Sequence, residues 1–388
     1  RMVRELMCKV GLKMFLLAGE ASGDLHGANL AKALFLKDHS IQLDGWGGPK
    51  MKAAGVKLHR ELKDLAFMGF VEVIANLPTI QKSFKIIKKY LLENKPDALI
   101  LIDYPGFNLK MAKWAHQNGI KVFYFISPTV WAWKADRALI IKEHVDRLYC
   151  ILPFEVDFYK KYDVDVTYVG NPLLDSVDAF RPDDQFLSNN NLTERSYISV
   201  LPGSRMQELK KIFPVMVSAM KLLPVKQFVI ARTSLLSEEL FIEILNKYHP
   251  AWKSHVQIIT DKTYDLLQHT SSAMVTSGTA TLETALFHVP QVVCYKTIPL
   301  NFRIAKSFVN VKYISLVNLI ANKPIVKELI QGDLTPENLK AELALLEEDV
   351  KYRNKILEEY KELAKMIGEP GVAERMAEDM VERLKDFV

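Results

Sequence analysis

Short apolar runs recur along the chain, each bounded by Gly, Pro, Asp, Ser or a basic residue. In the first half they are KMFLLA (13–18), DALILI (97–102), KVFYFI (121–126), RLYCIL (147–152) and VTYVG (166–170). In the second they are YISVLP (197–202), KQFVIA (226–231), HVQIIT (255–260), SAMVTS (272–277) and PQVVCY (290–295). Between them lie longer stretches of helical character, such as 26–37, 80–93 and 108–118. Runs apolar on both faces predict strands buried from both sides, and their alternation with helices predicts a parallel sheet. The polar stretch DAFRPDDQFLSNNNLTERS after residue 177 has the composition of a linker. Residues 336–388, rich in Glu, Lys, Leu and Ala, read as helix throughout. The predicted class is α/β, with two Rossmann-like, doubly wound domains at 1–175 and 176–345. C-terminal helices over 346–388 are expected to pack back across the domains or onto a partner subunit. Such sheets bind ligands beyond the C-terminal ends of their strands, so two facing domains predict a cleft.

Length supports two cores, because 388 residues exceed what one usually holds. No apolar run approaches the roughly 18–20 residues of a membrane span, and no signal peptide is expected at the N-terminus. Cys8, Cys150 and Cys294 lie far apart without a CxxC, which predicts reduced thiols, a cytoplasmic location and no zinc site. The net charge of +5 is uneven: residues 1–175 hold 25 Lys+Arg against 19 Asp+Glu, and the remainder 26 against 27. A basic first half suits solvated lysine-rich helices or an anionic surface. The basic-aromatic clustering of a nucleic-acid binder is absent, so no nucleic acid is expected.

Four stretches follow predicted strands and so fall where ligands bind. In AGEASGDLHG (18–27), Gly19, Gly23 and the small Ala21 and Ser22 let backbone approach a ligand. It is not GxGxxG, and a plain β–α turn is as good a reading; Glu20, Ser22 and Asp24 favour sugar contacts. In LIDYPGFN (101–108), Asp103 ends a buried strand and is either a general base or the N-cap of the following helix. In SPTVWAWKADR (127–137), the two tryptophans suit packing more than sugar stacking, while Lys134 and Arg137 could hold phosphate. LPGSR (201–205) and TSGTATLETA (276–285) each place glycine and hydroxyl residues before a helix whose amides can grip phosphate. Gly203, Ser204, Arg205, Ser277, Gly278 and Thr279 are therefore donor-site candidates. Glu283 is either a favourable first-turn charge or an acceptor for both hydrogens of a ribose diol.

AGEASGDLHG, MGFVEVI, IDYPGFN, SPTVWAW, LPFE, LPGSR, SGTATLE and YISLVNLI (313–320), in this order, resemble the lipid-A-disaccharide synthase family. The resemblance runs from about Lys13 to the C-terminal helices. It implies a GT-B glycosyltransferase of lipid A biosynthesis. Its donor would be UDP-2,3-diacylglucosamine and its acceptor 2,3-diacylglucosamine 1-phosphate (lipid X), with inversion and release of UDP. It also implies Glu20, Ser22, Gly23 and Asn318 on the acceptor or sugar side. Many relatives carry a second acid where this chain has Gly106, and a histidine where it has Asn171, so neither position is given an acid–base role.

The expected mechanism uses Asp103 as base and Arg205, with the helix start after it, to stabilise the departing diphosphate. No DxD-like motif appears in these stretches, so no metal or other cofactor is expected. Phe70, Val73, Ile74 and Leu77 recur at i, i+3, i+4 and i+7, with Lys82, Lys85, Lys88 and Lys89 following. That stripe suits either the core or the inner face of the cytoplasmic membrane, held peripherally. A homodimer is compatible with this reading. A UDP-N-acetylglucosamine 2-epimerase-like isomerase and a non-catalytic nucleotide-sugar binder remain alternatives in the same fold.

Overall fold

A computed structural model describes residues 11–61, 77–126, 136–297 and 312–385. Contacts divide the chain into two units, 1–174 with 369–388, and 175–368.

The first unit holds a seven-stranded parallel sheet: β1 Lys13–Ala18, β2 Gln42–Gly47, β3 Lys57–Glu61, β4 Ala98–Ile102, β5 Lys121–Phe125, β6 Arg147–Cys150 and β7 Val166–Tyr168. Their order is β3-β2-β1-β4-β5-β6-β7. The second unit holds a six-stranded parallel sheet: β8 Tyr197–Leu201, β9 Gln227–Arg232, β10 Val256–Thr260, β11 Ser272–Thr276, β12 Gln291–Tyr295 and β13 Lys327–Ile330, ordered β10-β9-β8-β11-β12-β13. Both are doubly wound. The strand order reverses between β1 and β4 in one sheet and between β8 and β11 in the other, which are the switch points where such sheets bind ligands. The register there is Leu16 with Ile100, and Met274 with Val200. The candidate loops after β1, β4, β8 and β11 flank these two points, whereas SPTVWAWKADR follows β5, beside β4.

All ten apolar runs form strands. β4, β8 and β11 are buried throughout because helices cover both faces. The segment read as a linker is not loose. It carries a short helix, Phe186–Asn189, and Phe186 and Leu192 join Tyr197, Val229, Ile259 and Leu266 in a core cluster. Burial of two large apolar side chains outweighs the polar composition around them. The helical tail also differs from one block. Helices Pro336–Glu348 and Val350–Ile367 belong to the second unit, and helix Val372–Lys385 belongs to the first. Gly368 and Gly371, with φ of 91° and 96°, make the break between them. The last helix places Val372, Met376, Met380 and Leu384 in the core of the first unit, where Tyr149 donates to Asp379 at 2.8 Å.

Candidate active site

The first switch point is built from the ends of β1 and β4. Helix Ala21–Lys37 begins directly after Glu20, so Ser22 and Gly23 lie in its first turn rather than in a loop. Ser22 is exposed; Gly23 is buried, and a Cβ on it would come 3.2 Å from that of Ala18. Asp24 is not a sugar ligand. Its carboxylate accepts the backbone N–H groups of Gly48, Lys50 and Met51 at 2.8, 3.0 and 2.9 Å, capping helix Pro49–Ala53. A Cβ on Gly19 would lie 2.4 Å from the Tyr104 ring, so the two loops meet there and only glycine fits. Burial first, and the Glu20 charge second, push the Tyr104 phenol up.

Asp103 and Tyr104 both have positive φ, 49° and 50°. The helix then starts at Pro105 with Tyr104 at its N-cap, so Asp103 is not the cap residue. Gly106 has open space where a Cβ would stand. Asn171 is buried; its Oδ1 accepts from the Leu173 N–H at 3.0 Å, and its Nδ2 donates to the Ile151 carbonyl at 3.4 Å. Glu155 of LPFE is spent likewise on the N–H groups of Ile151 and Leu152.

The second switch point opens into a cavity of about 400 Å³. Gly203, Ser204, Arg205, Ser277, Gly278, Thr279 and Glu283 all line it, so the structure gathers every donor-site candidate in one place. Arg205 is the N-cap of helix Met206–Lys221, and its side chain is 72% exposed, free to swing onto an anion. Helix Thr279–Leu286 starts after Gly278 without a side-chain cap, and a Cβ on Gly278 would meet nothing within 4 Å. Its first amides therefore present a bare N-terminus to the pocket. The Ser277 hydroxyl donates to the Ile314 carbonyl at 3.3 Å.

The two phosphate-type turns are not equivalent. The Glu208 carboxylate, three residues into its helix, lies 3.8 Å from the Arg205 guanidinium and would stand 2.5 Å from a Cβ on Gly203. The chain's own carboxylate thus crowds the LPGSR turn, whereas a Cβ on Gly278 would meet nothing within 4 Å. Burial raises the Glu208 carboxyl, with Arg205 and the backbone at Ser204 and Arg205 opposing the rise. The spacing of Glu208 from Arg205 in PGSRMQE was the signal for it.

Glu283 is the fifth residue of its helix, so it sits in the second turn and not the first. Tyr264 donates to its Oε1 at 2.7 Å, and burial raises the carboxyl while that bond opposes the rise. The Tyr264 ring is held edge-on by Phe180 at 5.5 Å and tilted against Phe287 at 4.9 Å. No sequence motif marks Tyr264, which comes from a different element, the helix Thr263–His269.

Asn318, expected on the sugar side, is turned into the chain itself. It is 1% exposed, its Nδ2 donates to the Val326 carbonyl and Glu328, and its Oδ1 accepts the Val326 N–H. Glu328 also accepts from Ile314, Ser315 and the Ser315 hydroxyl. Asn318 and Glu328 thus brace the loop that meets Ser277. Phe70, Val73, Ile74, Lys134 and both tryptophans of SPTVWAW lie outside the described residues. Leu77 begins helix Leu77–Asn94, but its side chain lies outside them too. Among the described residues no three His, Cys, Asp or Glu side chains group to hold a metal ion, and Cys150 and Cys294 are buried free thiols.

The sequence profile of the family described as Lipid-A-disaccharide synthetase matches residues 14–380. The chain belongs to this family. Lipid-A-disaccharide synthase of Syntrophus aciditrophicus is 42% identical over 370 residues, covering 94% of this chain and 96% of the relative. That of Trichlorobacter lovleyi is 38% identical with the same coverage. Membership makes the chain a glycosyltransferase of lipid A biosynthesis. Among solved structures, a UDP-GlcNAc 2-epimerase of Neisseria meningitidis aligns with TM-score 0.68 at 13% identity, over 96% of this chain and 100% of that one. A glycotransferase of kitacinnamycin aligns with TM-score 0.61 at 14% identity, over 96% and 99%. At such identities the likeness carries the fold alone, which is of GT-B type, and leaves the epimerase reading without support in sequence.

Proposed function

We propose that this chain transfers 2,3-diacylglucosamine from its UDP donor to the 6-hydroxyl of lipid X, giving the β-1,6-linked disaccharide 1-phosphate and UDP. The observation that carries it is the pocket at the β8/β11 switch point, within a chain matched to the family almost end to end. There an exposed arginine, an uncapped helix start and a buried carboxylate suit, in turn, a diphosphate and a ribose diol. The acceptor oxygen bonds to the anomeric carbon as that carbon's bond to the phosphate oxygen breaks. The hydroxyl proton passes to Asp103, and the bonding pair leaves on UDP. Arg205 and the amides after Gly278 stabilise the charge growing on the diphosphate. One displacement inverts the centre, so a single carboxylate base suffices, and this scheme asks for no metal or other cofactor.

The same reading places the protein on an anionic membrane surface. Helix Leu77–Asn94 buries Ser83, Ile87 and Leu91 and turns Lys82, Lys85, Ile86 and Lys89 outward. Lys88 lies over the rings of Phe84 and Trp114 at 5.8 and 5.4 Å. An outward lysine row is suited to acidic headgroups. Among the described residues no helix is long and apolar enough to cross a membrane.

Mixing purified protein with UDP-diacylglucosamine, with and without lipid X, tests the transfer. UDP release that depends on lipid X, with a product of disaccharide mass, supports it. Conversion of the UDP-sugar alone indicates an isomerase, and no reaction indicates a binder.

A further inference from the structure

The turn that carries Asp103 is strained, and two side chains hold it. β4 ends at Ile102, and the next two residues, neither of them glycine, sit at φ 49° and 50°. Left-handed backbone brings Cβ against the following carbonyl, so an isolated chain abandons it. Here Pro105 follows, which restricts Tyr104 further. Such a pair persists only where its surroundings over-determine it.

The surroundings do so through the two peptides that flank Asp103. The Asp103 N–H donates to the Phe125 carbonyl at 2.9 Å, continuing the ladder to β5. The Asp103 carbonyl then receives two donors: the Tyr124 hydroxyl at 2.7 Å and Asn108 Nδ2 at 2.7 Å. Asn108 Nδ2 also donates to the Ile102 carbonyl at 3.2 Å. Both acceptors are carbonyls, so the amide can face them only with its nitrogen. Asn108 and Tyr124 are both fully buried, 0% exposed, and come from different elements, the helix Pro105–Gln117 and β5. Asn108 Oδ1 is buried without a hydrogen-bond partner. A buried acceptor left unmet is unfavourable, and an apolar residue in that helix position would avoid it. Both hydrogen bonds of the Asn108 side chain go to the turn around Asp103.

We propose that Asn108 and Tyr124 are positioning residues for proton abstraction: by clamping the Ile102 and Asp103 carbonyls they hold Asp103 in its left-handed conformation and so fix its carboxylate. The proposal rests on Asp103 being the base. It gives a role to the last residue of IDYPGFN and to a tyrosine that no motif singles out. Neither residue touches substrate; both act through the backbone of Asp103.

The test uses the full chain with Asn108→Ala and Tyr124→Phe, each made in the wild-type and in the Asp103→Asn background. Turnover, KM for both substrates, UDP affinity and melting temperature are measured on every sample. Misplacing a catalytic group by an ångström costs on the order of 10²-fold, so Asn108→Ala is expected to lower kcat by about that factor and Tyr124→Phe by about tenfold. KM and UDP affinity stay within about twofold, because the UDP seat is in the other unit. In the Asp103→Asn background neither change costs anything further, the non-additivity expected of residues acting through one group. Wild-type kcat in both single variants beside an inactive Asp103→Asn overturns this inference alone, as does an equal loss in both backgrounds. A fully active Asp103→Asn overturns the assignment of the base and this inference with it. Should Asn108→Ala not fold, Tyr124→Phe, which removes one oxygen, carries the same comparison.

Discussion

The Tyr264 hydroxyl donates to Glu283 Oε1 at 2.7 Å, and under the proposed function the other carboxylate oxygen takes the ribose. Glu283→Ala is therefore expected to weaken UDP binding while leaving the chemical step largely intact. Tyr264→Phe tests the same pair through pH. Burial raises the Glu283 carboxyl and the Tyr264 bond opposes it, so removing the phenol lets the carboxyl rise further. The ionised form is the diol acceptor, so affinity is lost as pH falls through the raised value. In Tyr264→Phe that loss begins at higher pH than in the wild type. Calorimetric UDP affinity between about pH 4 and 8, from the ordinary carboxylate value upward, reads it; superimposable profiles sink the idea.

Arg205→Ala is expected to cost on the order of 10²–10³ in turnover, as for loss of one preorganised donor at a developing charge. Its side chain is largely exposed and has one loose ion pair, so the melting temperature should hold. Near-wild-type turnover at saturating donor rules the role out.

Asp103→Asn now discriminates more sharply than the sequence allowed. With Tyr104 at the N-cap, the change removes a base and no cap. Turnover is expected to fall by about 10²–10⁴-fold with donor binding and melting temperature kept. A stable, active variant would assign the proton to another group.

Changing Lys82, Lys85 and Lys89 together to glutamine should release the protein from anionic vesicles. Each lysine near such a surface contributes about 1 kcal/mol, so three amount to roughly a hundredfold in partition. All three are exposed, so folding should not change. Co-sedimentation with phosphatidylserine vesicles measures it, and undiminished binding means the lysines only keep the helix solvated.

Most of the sheets were legible because the central strands, such as β1, β4, β8 and β11, are buried on both faces and so read as unbroken apolar runs. The three missed strands lack that signature. QLDGWG of β2 carries an aspartate and two glycines, whereas KLHRE of β3 and KELI of β13 are charged edge strands, the form that keeps an edge from pairing with another chain. The donor site was legible where glycine and hydroxyl residues cluster before a helix. It was not where a contact crosses between helices, as Tyr264 of Thr263–His269 reaches Glu283 of Thr279–Leu286. Nor does a motif tell whether a polar residue faces a ligand or the chain itself. Asp24 and Asn318 look like ligands in one dimension and are spent on backbone amides and carbonyls in three.

The closing helix Val372–Lys385 turns the second unit into an insertion within the first. Residues 175–368 are contiguous, whereas the first unit is completed only by residues 369–388. A ribosome delivers domains in order at about 5–20 residues per second, yet here the unit begun first must wait the longest. While some 190 residues of the second unit emerge, the groove that will take Met376, Met380 and Leu384 stays open. The core of the first unit therefore stays incomplete until helix Val372–Lys385 has emerged.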